Sequence, residues 1–195
     1  MDKNVAQGRE SILVAANVAS VPHYSPFRYP GGKTWLAPVI RSWLKHGPTK
    51  IIHEPFAGGG TTSLLAVIEG YAEKAVLYEK DVAVSAVWKT MLGNDAEWLV
   101  EKILTFQMTP IRVNAVLCSV PRTVRTLGFQ TIIKNRCRRG GVIAGSAGLI
   151  VRGERDRGLL SRWYPETLAR RIQLIHACWR RPKIDQFLRV VPTEN

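Results

Sequence analysis

Cysteine is scarce in this sequence of 195 residues: Cys118, Cys137 and Cys178 are the only three, and no two stand in a CxxC spacing. An odd, widely spaced set excludes a disulfide framework and a cysteine zinc site. No apolar run approaches the ~18–20 residues that a bilayer crossing needs. The start, Met1-Asp2-Lys3-Asn4, lacks the basic region of a secretory signal, so a cytoplasmic protein is expected. A complete nucleotide-triphosphate loop is missing too. Gly32-Lys33-Thr34 resembles the end of one, but position 27, where the first glycine should stand, is Phe. What remains, 46% hydrophobic and 22% charged residues, is the balance of a globular protein of one domain, or one domain with an insertion.

Acid is also scarce, and its scarcity is local. The chain holds 28 Lys and Arg against 15 Asp and Glu, a formal charge of +13. Residues 1–111 are nearly balanced, with 11 basic and 10 acidic side chains, whereas residues 112–181 hold 15 and 3, a net of +12. Of those 15 basic residues 14 are Arg, the forked cation suited to phosphates and guanine edges. A solvated basic face is the ordinary explanation of a charge excess. Clustering this strong favours a polyanion, DNA above all.

The pattern of elements divides the chain. Residues 1–24 carry no motif, and 25–33, with two prolines and two glycines, read as a loop. Thr34 is placed to cap a helix from Trp35 to about Lys45 with Trp35, Val39, Ile40 and Trp43 on one face. Lys50–Phe56 reads as a buried strand running into Ala57-Gly58-Gly59-Gly60, after which Thr61-Thr62-Ser63 would cap an apolar helix. Ala75–Tyr78 is a second strand and Val82–Leu92 a helix, which makes the βαβ pattern of a parallel sheet. Helices are expected over 95–106, 110–118 and 164–176, a short mixed element over 128–135, and a third strand over 183–191.

Chemistry concentrates at the glycine turn. Small residues between a strand and a helix let a ligand approach the backbone closely. Glu79, at the end of the second strand, stands where a carboxylate can accept both hydroxyls of an adenosine ribose. By itself Glu79 is equally a surface carboxylate at a strand end, and the turn is not a strict GxGxxG.

Three segments in order, Pro26-Phe-Arg-Tyr-Pro-Gly-Gly-Lys33, Glu54-Pro-Phe-Ala-Gly-Gly-Gly60 and Tyr78-Glu79-Lys80-Asp81, resemble the opening motifs of Dam-type DNA adenine methyltransferases. Ile132-Ile-Lys-Asn-Arg136 and Trp163-Tyr-Pro-Glu166 extend the resemblance, which covers about residues 25–190. It implies an α/β fold: a partial Rossmann-like methyltransferase sheet with a mainly helical, basic inserted recognition domain. Residues 25–104 would bind S-adenosylmethionine, 105–181 would recognise double-stranded DNA, and 182–195 would return to the sheet. Tyr29 would pack on the cofactor, Lys33 would meet its carboxylate, Glu54, Gly58 and Gly60 would floor its pocket, and Glu79 would hold its ribose. Asn135, Arg136, Arg138 and Arg139 would contact DNA. The activity implied is methyl transfer to the exocyclic amine of adenine, as in restriction-modification systems, with no metal and no membrane.

One motif of that family is missing. No Asp-Pro-Pro-Tyr or similar run follows the recognition segment; Pro165, Pro182 and Pro192 stand unpaired. That loop hydrogen-bonds the target amine and stacks on the extruded base, so no catalytic residue is assigned and this chain alone is expected to be inactive. Three readings stay open: a truncated methyltransferase, one subunit of a split enzyme completed by a chain that carries the loop, and a non-enzymatic DNA-binding remnant. A sheet of about three strands would leave an edge and apolar surface uncovered.

Overall fold

The computed structural model describes residues 21–28, 32–47, 49–141, 143, 147–179 and 188–192. Their order is α1 (Ala37–Leu44), β1 (Thr49–Glu54), α2 (Thr61–Ile68), β2 (Ala72–Glu79), α3 (Val82–Leu92), α4 (Ala96–Thr105), α5 (Pro110–Cys118), α6 (Val124–Cys137), α7 (Pro165–Trp179) and β3 (Leu188–Pro192). The three strands form one parallel sheet in the order β1-β2-β3, with Ile52 beside Ala75 and Tyr78 beside Val191. The fold is therefore mixed α/β and mostly helical.

Hydrophobic patterning explains which faces close. In β2 the residues alternate, with Ala75 and Leu77 buried and Val76 and Tyr78 half-buried. Strand β1 follows suit: Ile52 is buried, while Ile51 and His53 are exposed. The strand expected to be buried is thus buried at alternate residues, because among the described residues helices cover one face of the sheet only. On the open face His53 stacks on Tyr78, and its Nδ1 lies 2.9 Å from the Tyr78 hydroxyl.

Several local expectations are corrected. Thr34 does not cap the first helix; a 3-10 turn over Lys33–Leu36 leads into α1 without a side-chain cap. The inward residues of α1 are Ala37 and Leu44, with Ile40 partly buried, and Trp43 points outward at 61% exposure. Ala37 and Ile40 pack with Leu65 of α2, and Leu44 joins the main core. Residues 128–135 are not a mixed element but the middle of α6, a helix of 14 residues opened by a Thr123–Thr126 capping box. Gly128 is a packing device there: a Cβ would lie 2.8 Å from Thr90 Oγ1 and 3.1 Å from the Ala86 carbonyl, so its absence lets α6 sit hard against α3.

Helices α6 and α7 join the same core as the sheet. Leu77 of β2, Trp88 and Met91 of α3, Ile132 of α6 and Ile172 and Ile175 of α7 belong to one buried cluster. The basic segment is therefore built on the core of the α/β part rather than around a separate core of its own. No disulfide joins the cysteines among the described residues; Cys118 is exposed, and burial raises the Cys137 thiol to about 11.

Candidate cofactor site and basic face

The turn after β1 is fixed by its neighbours. The Ala57 amide donates to the Tyr78 carbonyl at 2.9 Å, and the Gly60 amide to the Ala57 carbonyl at 2.7 Å. Gly58 sits between two side chains. Its amide donates to Glu79 Oε2 at 2.7 Å, and its carbonyl accepts the Trp88 indole N–H at 2.9 Å. Gly58 and Gly60 both adopt positive φ, at 50° and 64°. At Gly60 a Cβ would meet the Trp88 ring at 2.7 Å and 2.8 Å. The third glycine is thus required by Trp88, a residue absent from the sequence motif, because the indole fills the space a side chain would need.

Two buried carboxylates flank the turn. Glu79 is 6% exposed and bonds with both oxygens, Oε2 to Gly58 and Oε1 to the Asp81 amide at 2.8 Å. Each carboxylate oxygen has a second lone pair, so Glu79 retains capacity for two hydroxyl donors. Glu54 accepts from the amides of Thr62 at 3.3 Å and Ser63 at 2.9 Å. It therefore caps α2 from across the turn, the task expected of Thr61–Ser63, and its charge complements the positive end of the helix. Asp81 caps α3 in the same way, through Ala83 and Val84. Lys33 Nζ lies 3.8 Å from Glu54 Oε1, so the loop lysine and the turn meet at the mouth of α2.

Lys33, Glu54, Gly58, Gly60 and Glu79 thus form one continuous cluster across 46 residues of sequence. Tyr29 lies outside the described residues. Phe56 was not foreseen: it stands between β1 and Ala57 at φ 57° and is 86% exposed. A large aromatic held in the left-handed region at a turn is strained, by about 1–3 kcal/mol, and such strain gathers at ligand-contacting turns. The Phe56 position next to the glycine run was the available signal.

The Asn-Arg pair is placed inside the protein. Asn135 is fully buried: its Oδ1 accepts from the Arg28 amide at 3.0 Å, and its Nδ2 donates to the carbonyls of Arg28 and Gly141, each at 2.9 Å. Arg136 is 4% exposed and donates from Nη2 to the Pro26 carbonyl. Both side chains hold the segment that leads into residues 29–33, and neither presents a surface to a DNA groove. Arg138 is half-buried and donates to the Ile143 carbonyl at 3.0 Å, while Arg139 is exposed. Further exposed arginines lie on the same segment, and Arg152, Arg155 and Arg157 share one loop. Arg157 lies over the Tyr164 ring at 5.5 Å.

Among the described residues no group of three or more His, Cys, Asp or Glu is arranged to hold a metal, and no helix is long and apolar enough to cross a membrane. The chain matches no family model and no curated protein.

Proposed function

We propose that this chain is the cofactor-binding and DNA-recognition part of an S-adenosylmethionine-dependent DNA adenine methyltransferase of the Dam type, whose Asp-Pro-Pro-Tyr loop lies outside these 195 residues. The observation that carries the reading is Glu79: a buried carboxylate at the end of β2, bonded to the glycine turn that ends the adjacent parallel strand β1. That juxtaposition is what an adenosine ribose requires of a Rossmann-like site. The parallel order β1-β2-β3 supports the same reading, since half of a Rossmann-like sheet runs in that order.

The residues fit the group. Glu79 keeps lone pairs for hydroxyls, and the acidic turn suits a sulfonium, whose positive charge is what makes the cofactor a methyl donor. Lys33 stands at the rim for a carboxylate. Asn135 and Arg136 would act by positioning the loop that bears Tyr29. DNA would lie on the exposed arginines, Arg139, Arg152, Arg155 and Arg157. The open sheet face at Ile51 and His53 supports a complementing chain. A second reading is a DNA-binding remnant without activity, which the +12 of residues 112–181 would satisfy by itself.

Calorimetry with S-adenosylmethionine tests the site. The wild-type chain should bind, and Glu79→Ala should weaken binding by about 1–3 kcal/mol, the worth of hydrogen bonds to a charged group. Equal binding by both proteins would sink the Glu79 assignment, and no binding by a folded wild type would leave the remnant.

A further inference from the structure

Beside the glycine turn, and lined in part by its Gly59 and Thr61, a cavity of about 570 Å³ lies between the 21–28 segment, the start of α2 and the start of α7. Four arginines, Arg28, Arg136, Arg162 and Arg171, line it, and no Asp or Glu does. Glu54 and Glu79 are not part of it. We propose that this cavity is a binding site for an oxyanion of the phosphate class, held by Arg136, Arg162 and Arg171.

Arg136 carries the case. Its guanidinium is buried, yet its Nε has no hydrogen-bond partner. Among the described residues no carboxylate pairs with Arg136, Arg162 or Arg171; Glu154 meets only the exposed Arg28, at 3.5 Å. A buried cation with neither counter-ion nor full hydrogen bonding is costly. The cost is visible in its acidity: burial first, then the charges of Arg171, Arg28 and Arg162, push Arg136 down to about 9. Burial lowers Arg171 as well. Arg162 and Arg171 each place one guanidinium nitrogen on a backbone carbonyl, of Arg138 at 3.4 Å and of Ser25 at 3.0 Å, which fixes the forks and leaves other N–H groups free for a ligand. An anion seated among them would satisfy Nε and neutralise the repulsion together. Forked donors suit the tetrahedral oxygens of phosphate.

The site stands on these observations whether or not the chain binds S-adenosylmethionine. Phosphate can arrive free, on a small molecule, or as a DNA backbone linkage at the basic face. Thermal unfolding in sodium phosphate is compared with sodium chloride at matched ionic strength. Phosphate should raise Tm with the logarithm of its concentration, by roughly 5–10 °C once it exceeds its dissociation constant about a hundredfold. Arg162→Gln and Arg171→Gln, both less buried than Arg136, should each lose most of that rise, and Arg136→Met should lose all of it. No difference between the salts, or a rise that every variant keeps, as generic salting-out gives, would overturn the site. A short duplex then distinguishes the sources. If the phosphate belongs to DNA, inorganic phosphate competes with the duplex and the variants weaken it. If it is free, duplex affinity is unchanged while the phosphate effect remains.

Discussion

Replacing Gly60 by alanine tests the construction of the turn. Two terms oppose the substitution. Gly60 holds φ 64°, a conformation that costs an L-residue roughly 1–2 kcal/mol. The added methyl would lie 2.7 Å and 2.8 Å from ring atoms of Trp88 and 3.1 Å from Leu77 Cδ2, and neither neighbour can retreat, since both are fully buried. Overpacking of that kind costs about 1–3 kcal/mol, so Gly60→Ala should destabilise the fold by about 2–5 kcal/mol. Gly70 provides the control. It has φ 78°, and a methyl placed there would find nothing within 4 Å, so Gly70→Ala isolates the conformational term. Urea unfolding followed by circular dichroism, with equal m-values for all three proteins, should place Gly60→Ala well below Gly70→Ala. Equal losses for the two variants would refute the contact with Trp88 and return Gly60 to the role of a ligand-approach glycine.

Asn135→Ala removes three hydrogen bonds from a fully buried carboxamide and orphans the Arg28 amide, so a loss of about 2–4 kcal/mol is expected in the same assay; a loss below about 1 kcal/mol would show that the 26–28 segment is held elsewhere. Glu69 is held below its usual range by its hydrogen bonds from Arg41, both at 2.7 Å. A carboxylate depressed in the folded state adds stability above its unfolded pKa of about 4.5 and loses it as pH falls through the folded value. Glu69→Gln should therefore be less stable than wild type at neutral pH, with the gap closing in acid, and a gap independent of pH would reject the pair. Binding to duplex DNA should weaken with salt at a slope near −0.9 per phosphate contacted. Substituting Arg152, Arg155 and Arg157 together should flatten that slope, whereas an unchanged slope would move the contact surface off their loop.

The elements that sequence pattern predicts well are those whose signals are local. Helix α3 runs over the expected Val82–Leu92 because Asp81 caps it and no glycine or proline interrupts it before Gly93. What escaped local reading depends on partners far along the chain. The cap of α2 is Glu54, which the sequence separates from Thr62 by a whole turn, and the continuity of α6 through Gly128 is intelligible only once Ala86 and Thr90 of α3 lie against it. Whether β1 is buried on one face or two is likewise decided by what packs on the sheet, not by Lys50–Phe56 itself.

The arginines make the same point about function. Counting charge along the chain treats the 14 arginines of residues 112–181 as equivalent, and a polyanion surface follows from their number. The fold divides them by environment. Arg139, Arg152, Arg155, Arg157 and Arg170 face solvent, where a cation costs little and can meet a phosphate backbone at long range. Arg136 lies inside, and Arg162 and Arg171 half inside, where a cation is costly unless something answers it. Near neighbours in sequence, Arg136 and Arg138, fall into different environments because the side chains of α6 point inward at 136 and the helix has ended by 138. An interior guanidinium with an idle Nε is therefore a sharper statement about a ligand than any surface excess. A surface excess needs only solubility to explain it, whereas an unanswered buried charge has to be offset within the fold.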